Sequence, residues 1–308
     1  MLDRRPILVT GAHRSGTGWV GRMIAAAPSP TVAYLWEPFS RFHRPGILAV
    51  DFPYWFPYVC KENQGPVAPA VADMLAFRYR PVAELRSIRS SRDVGRFARD
   101  WSDFARWRRS GARPLLKDPI ALLSAEWLAD TFDLDVTVLI RHPAAFVNSL
   151  TQRDLSHPFD HFLRQPLLMR ESLAPFEEEI RAFSEDPRPV FDQAILLWNI
   201  LHSAIQRYRA TRPDWLFLRL EDVARDPIGS FREIYARLGL RFDAATEQTI
   251  SAHSDASNSA EVEDPADARR DSRASIETWR RHLSPEQIDR VRTAVEPIAK
   301  EFYSDADW

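Results

Sequence analysis

The stretch GAHRSGTGW, residues 11–19, follows the apolar run PILVT and leads into VGRMIAAA. A strand that ends in a glycine-rich turn and opens a helix builds an anion cradle, because successive backbone N–H groups and the helix N-terminus converge on the ligand. The triphosphate form of that cradle reads GxxxxGK followed by Ser or Thr. Gly11 and Gly16 keep its spacing, but Thr17 stands where the lysine belongs and Gly18 where the magnesium-binding hydroxyl belongs. Arg14 carries the positive charge inside the loop instead. Such a loop suits a less charged group than a metal-bound triphosphate. For this loop taken alone, a purely structural turn is the alternative.

A second cluster, RHPAAFVNS at 141–149, follows the apolar run DVTVLI directly. Arg141 offers a bidentate fork at the end of a strand, and Ser149 a hydroxyl on the helix that follows; together they suit a terminal phosphate. A helix-capping pair is the other reading. Two further charged residues end apolar runs: Glu37 in WEPF and Lys117 in PLLKDP.

These residues need elements that bring them to one edge. Residues 6–10, 31–36, 114–117, 135–140 and 215–220 read as strands, and 17–27, 121–132, the run AAFVNSL, 190–210 and 229–238 as helices. Strands alternating with helices predict an α/β fold, a doubly wound and mainly parallel sheet flanked by helices. Ligands of such sheets bind beyond the carboxyl ends of the strands, where Gly11, Glu37, Lys117 and Arg141 all fall. Residues 38–66 carry no sustained period and are too apolar for disorder; with helical patterns at 67–79 and 93–109 they form a long aromatic and proline-rich excursion. Residues 251–272 are polar and read as a loop or lid, and 284–303 as a last amphipathic helix. A single domain over 1–308 is expected, with the excursion at 38–110 on the acceptor side and a nucleotide-covering loop at 251–283.

Composition narrows the function classes. With 41 basic and 43 acidic residues the net charge is −2, so bulk charge argues for neither nucleic acid nor an anionic membrane as partner, and any anion site must be local. The single cysteine, Cys60, forbids an internal disulfide and suits a reducing compartment. The first strand begins after a few polar residues, and no apolar run approaches the roughly 20 residues of a span. No signal peptide or transmembrane segment is expected, and the expected location is the cytoplasm. The oligomeric state is not legible.

The two anion motifs together resemble those of sulfotransferases that use 3′-phosphoadenosine 5′-phosphosulfate (PAPS). In that family a basic residue ahead of SGT, here HRSGTGW, cradles the 5′-phosphosulfate, and an Arg-[Asp or His]-Pro turn with a downstream serine, here RHPAAFVNS, holds the 3′-phosphate. WEPF resembles the Glu-Pro element of carbohydrate sulfotransferases, and PLLKDP the Lys-Asp-Pro segment of the tyrosylprotein group. WLFLRLEDVARDPIGSF resembles a strand, acidic pair and Asp-Pro turn common in the superfamily, and DSRASIETWRRHLSPEQ its basic loop and Trp-Arg helix. The resemblance implies a P-loop-like sulfotransferase fold, PAPS as co-substrate with PAP (3′-phosphoadenosine 5′-phosphate) as product, no metal, and a small-molecule or glycan acceptor. Gly18 departs from the pattern, since many relatives have Thr there, and no histidine base follows PLLKDP.

By that resemblance His13, Arg14, Ser15, Gly16, Thr17, Gly18 and Trp19 line the donor loop, and Arg141 and Ser149 bind the 3′-phosphate. Ser272 and Arg273 lie where relatives return a polar group to the nucleotide, with Arg269 and Arg270 competing for the role. Arg14 and Lys117 are the candidates for stabilising charge on the bridging oxygen, a surface lysine being the alternative for Lys117. Glu37 becomes the general base, its backbone held extended by Pro38 and its carboxyl desolvated by Trp36, Phe39 and Phe42. A carboxylate bonding loop amides is its alternative role, and His43 and Asp118 are reserve bases. Trp279 and Arg280 read as anchors of the last helix. A P-loop kinase and a catalytically silent nucleotide-binding protein are the rival functions.

Overall fold

The computed structural model describes residues 5–259 and 271–308. Five strands, β1 (Ile7–Gly11), β2 (Val32–Trp36), β3 (Arg113–Lys117), β4 (Asp135–Ile140) and β5 (Leu216–Arg219), form one sheet in the order β2-β3-β1-β4-β5, with every pair parallel. Parallel strands covered on both faces need near-continuous apolar runs. ILVTG and RPLLK accordingly have every residue buried.

Side chains alternate between the faces, as the period of a strand requires. Ile7 and Val9 join a core with Trp19, Ile24, Phe231 and Tyr235, whereas Leu8, Leu116, Val136 and Val138 join the larger core on the other face. The first core is closed by α1 (Thr17–Ala25) and, later in the chain, by the helix Pro227–Arg237. The second is closed by further elements, numbered here in chain order: α2 (Val67–Leu75), α3 (Ser91–Ser110), α4 (Ala125–Phe132), α5 (Pro143–Thr151) and α6 (Val190–Thr211). Next come α7 (Leu220–Arg225), α8 (Pro227–Arg237), α9 (Ala244–Ser254), α10 (Ser272–Ile276) and α11 (Pro285–Ala299).

Strand order decides where a ligand can bind. From β1 the chain moves to β2 and β3 on one side, then returns past β1 to β4 and β5, so the order reverses between β1 and β4. A crevice at that reversal is the binding position of open α/β sheets. Gly11 at the end of β1 is in register with Leu139, two residues before Arg141.

Several boundaries differ from the sequence reading. The strand expected over 215–220 stops at Arg219, because Leu220 opens α7 with Glu221 and Asp222 in its first turn, where acidic groups favour a helix start. Residues 251–254, read as loop, close α9, whose start is capped by the Asp243 side chain accepting from Thr246 N–H. The last helix ends at Ala299, and its start is fixed by a capping box of Ser284 and Gln287. Among the described residues no helix is long and apolar enough to cross a membrane.

Candidate active site

The loop between β1 and α1 turns on two glycines. At Gly11 φ is 139°, and a Cβ would lie 2.2 Å from the Leu139 carbonyl oxygen. At Gly16 φ is 81°, and a Cβ would meet the Leu220 side chain at 2.5 Å. Either substitution would push the loop away from β4 or from α7. Arg14 also adopts a left-handed backbone, φ 64°, which a non-glycine residue keeps only when its surroundings impose it. Ser15 N–H closes the turn on the Ala12 carbonyl at 3.2 Å.

Ahead of the first intrahelical bond, Val20 N–H to Gly16 O, the backbone N–H groups of Gly16, Thr17 and Gly18 have no backbone partner among the described residues. The Ser15 hydroxyl is buried and likewise unpaired among them. An anion at this helix start would satisfy all four groups. A Cβ on Gly18 would touch nothing within 4 Å, so that position is open.

The second motif is joined to the first. Arg14 Nε–H donates to Ser149 Oγ at 3.3 Å, and an Arg141 guanidinium N–H donates to the Arg14 carbonyl. Trp198 on α6 holds the strand end by donating to the Arg141 carbonyl at 3.0 Å. Glu221 is buried; it accepts from His142 N–H at 2.9 Å and from the Tyr303 hydroxyl at 3.0 Å. The His142 ring stacks on Trp279 with centroids 4.8 Å apart. Residues from α6, α7 and the segment after the helix Pro285–Ala299 thus fix the direction in which Arg141 leaves β4. Trp198 and Tyr303 carried no motif signal; only their size marked them as packing residues.

Glu37 and Lys117 meet beyond the ends of β2 and β3. Trp36 is in register with Lys117, Glu37 N–H donates to the Lys117 carbonyl at 2.9 Å, and the Lys117 ammonium is paired with Glu37 Oε1. Lys117 is 4% exposed, so it is no surface lysine. Burial pulls its pKa down, and the Glu37 carboxylate pulls it back up. Two expectations for Glu37 need correction. Its φ is 46°, so Pro38 does not hold it extended; the backbone turns sharply out of β2. Of the three aromatic residues expected to wall it in, Phe39 is buried, but Trp36 and Phe42 are 60% and 76% exposed. Trp36 instead lies over the Lys117 ammonium, 5.4 Å from ring centroid to Nζ.

Both reserve bases are engaged. Asp118 accepts from Phe39 N–H at 2.6 Å, Ile120 N–H at 3.0 Å and Ala121 N–H at 3.2 Å, so it ties the turn after β2 to the turn after β3. Burial pushes its carboxyl up to about 7 against these donors, with the Glu37 charge adding to the rise. The ring nitrogens of His43 face two carbonyls, those of Ser40 at 2.7 Å and Leu48 at 3.0 Å.

Other candidates stand elsewhere. The Trp19 side chain is core, packed edge-on against Phe231 at 5.5 Å, and so does not line the donor loop; an indole on this face of α1 has to fill the space under α8. The Ser272 hydroxyl is buried and donates to the carbonyls of Ala224 and Ser254, and Arg273 Nε–H donates to the Arg225 carbonyl. These bonds fasten α10 to α7 and α9 and commit the buried Ser272 hydroxyl to backbone carbonyls, whereas the Arg273 side chain stays exposed beyond its Nε–H bond. Arg269 and Arg270 lie outside the described residues. The excursion packs up to the loop: Phe56 contacts the His13 ring at 5.7 Å, and Phe52 stacks on Phe39 at 4.8 Å. Phe52, Tyr54, Tyr58, Arg164 and Gln165 line a cavity of about 390 Å³.

Buried imidazoles give the site a pH dependence. Burial, aided by the Arg14 cation, lowers His13 to about 4, and burial lowers His142 and His202 to about 3. An unfolded chain takes up protons on these rings near their ordinary value, whereas the folded protein does not. Their contribution is therefore complete above about pH 6.5 and is lost as the pH falls towards 4, by up to about 1.4 kcal/mol per unit for each ring. Urea denaturation near neutrality and at the acid end of that window should show the fall; a midpoint that holds steady would mean the rings titrate normally.

A strand-loop-helix anion cradle coupled to a strand-end arginine at a sheet reversal defines a P-loop-like α/β fold. The chain belongs to the sulfotransferase family, whose model matches residues 6–244. Over 96 residues, 30% of the chain, it is 31% identical to carbohydrate sulfotransferase 1 of Danio rerio, and that match spans 23% of the relative's length. The sulfotransferase domain of the Synechococcus PCC 7002 olefin synthase has the same fold, with a TM-score of 0.50 at 16% identity over 99% of this chain and 97% of that one. Mouse sulfotransferase SULT7A1, solved with PAP, aligns with a TM-score of 0.47 at 14% identity over 98% of this chain and 87% of that one.

Proposed function

We propose that this chain, acting as a single domain in the cytoplasm, transfers a sulfuryl group from PAPS to a hydroxyl of a carbohydrate or glycolipid acceptor. The observation that carries the reading is the pair of bonds joining Arg14 to Ser149 and Arg141 to the Arg14 carbonyl. Two anion sites coupled in this way suit a ligand with phosphates at both ends of a nucleoside.

PAPS supplies an activated sulfuryl group on its 5′-phosphate. Gly16, Thr17, Gly18 and Ser15 would hold that end through N–H and hydroxyl donors, and Arg141 and Ser149 would hold the 3′-phosphate. Arg14 and Lys117 are the cations nearest the transfer, and Glu37 is the base that takes the acceptor's proton. In the free protein Lys117 and Glu37 neutralise each other. A sulfonate at the loop competes for the ammonium and releases the carboxylate towards the acceptor.

For the acceptor, the exposed rings of Trp36, next to Glu37, and of Phe42, against Trp55, and the Tyr54 and Tyr58 cavity supply faces on which a sugar can stack, with Arg164 and Gln165 as hydrogen-bonding groups. Radiolabelled PAPS offered to a panel of glycans and glycolipids tests the reading. Transfer should occur and persist in excess EDTA, because Thr17 and Gly18 stand where a magnesium-dependent loop has its lysine and hydroxyl. Loss of transfer in EDTA with recovery on adding magnesium would favour the kinase-like alternative.

A further inference from the structure

Large apolar side chains are exposed at few positions, and four of them, Val82, Leu85, Val94 and Trp101, fall within residues 81–101. Helix α3 explains why this is unusual. Phe97, Phe104 and Trp107 form its packed face, held against Phe77 and Tyr79. A surface helix needs one such face. On α3 a second series, Val94, Ala98, Trp101, Ala105 and Arg108, recurs at i, i+4, i+7, i+11 and i+14, and Val94 and Trp101 within it are each 51% exposed.

Charge indicates what covers that stripe. The acidic groups of the segment are engaged locally: Glu84 and Asp100 with Arg44, Asp93 with Arg96 and the helix cap, and Asp103 with Arg106. Arg86, Arg92, Arg99, Arg108 and Arg109 are exposed and have no carboxylate partner among the described residues. A second copy related by a two-fold axis would set these same arginines against one another, and like charges repel. A polyanion with no apolar portion would leave Val94 and Trp101 in water.

We propose that α3 and the short helix before it, Pro81–Leu85, form a docking surface for an anionic phospholipid membrane, with Val94 and Trp101 entering the headgroup region and the flanking arginines meeting lipid phosphates. Indole rings and long basic side chains beside an apolar stripe are the composition of helices that lie in that interface. The near-neutral net charge of the whole chain is compatible with this, because the attraction is local and acts within about a Debye length.

The full chain should sediment with vesicles of equimolar phosphatidylcholine and phosphatidylglycerol at physiological salt, and remain in the supernatant with phosphatidylcholine alone. Trp101→Glu, and separately Arg99→Glu with Arg108→Glu, should each lower the vesicle-bound fraction by roughly tenfold. The melting curve should stay unchanged in the exposed arginine pair and shift only slightly for Trp101, whose ring meets the edge of Phe97. Absence of wild-type binding to the anionic vesicles, or equal binding by the variants, would overturn the proposal. So would a wild-type dimer in analytical ultracentrifugation that Trp101→Glu dissolves, since it would assign the stripe to a second copy. None of these measurements uses PAPS, so their outcome is independent of the sulfotransferase reading.

Discussion

Glu37→Gln should lower turnover by roughly a hundredfold to ten-thousandfold, the span of general base catalysis, while PAP affinity stays close to wild type. Glutamine has the same shape, and its carbonyl oxygen can still accept from the Lys117 ammonium, so the junction of β2 and β3 is kept. What it lacks is a site for the acceptor's proton. The reserve bases are held in other bonds. His43 faces carbonyls on both ring nitrogens, and Asp118 is committed to three backbone N–H groups. Substituting either of them should act mainly through folding. Normal turnover in Glu37→Gln, with turnover lost in His43→Ala or Asp118→Asn at unchanged stability, would move the base elsewhere.

Lys117→Met should reduce kcat on the order of a hundredfold or more, as removal of one preorganised donor from a charge-stabilising site does. Methionine keeps the length and the apolar stem that packs under α1, where Gly21 comes close to the lysine side chain. The ammonium is what disappears. Breaking a buried ion pair by deleting one partner can cost several kcal/mol, but Glu37 is partly exposed and keeps contact with water, so the stability loss should be the smaller effect. Chemical denaturation of the same variant separates the two. Because the residues touch, the double variant Glu37→Gln with Lys117→Met should fall less than the product of the single losses. A variant that unfolds readily yet turns over normally per folded molecule would reduce Lys117 to a structural ion pair.

The parts of this site that sequence disclosed are those where a residue type has one strong physical use. Glycines at positions 11 and 16 predicted a tight turn between strand and helix, and the structure puts one against the Leu139 carbonyl of β4 and the other under α7. Apolar runs predicted buried parallel strands, and polar residues at their carboxyl ends predicted the edge at which Glu37 meets Lys117 and Arg141 meets the Arg14 loop. Long-range partners were less legible. Nothing near Lys117 in sequence announces that its ammonium meets Glu37, eighty positions earlier. The pre-proline rule pointed the wrong way at Glu37, because tertiary contacts, Glu37 N–H to Lys117 O and Phe39 N–H to Asp118, outweigh a local preference. Ser272 and Arg273 were placed at the nucleotide by resemblance; the fold turns the Ser272 hydroxyl onto α7 and α9 carbonyls and ties Arg273 through Nε–H to α7, while its guanidinium stays exposed.

The central claim is that a strand-end arginine reads the 3′-phosphate of the donor, and isothermal titration of wild type and Arg141→Ala with PAP and with 5′-AMP tests it most directly. Arg141 leaves β4 with its carbonyl fixed by Trp198 and its guanidinium against the Arg14 carbonyl, beside Ser149. Wild type should prefer PAP strongly. A charge-assisted hydrogen bond contributes about 1.5–3 kcal/mol, so Arg141→Ala should weaken PAP by roughly ten- to a hundredfold and leave 5′-AMP nearly unchanged, collapsing the preference. Wild-type protein that binds the two nucleotides equally, or a variant that loses both to the same degree, would contradict the account.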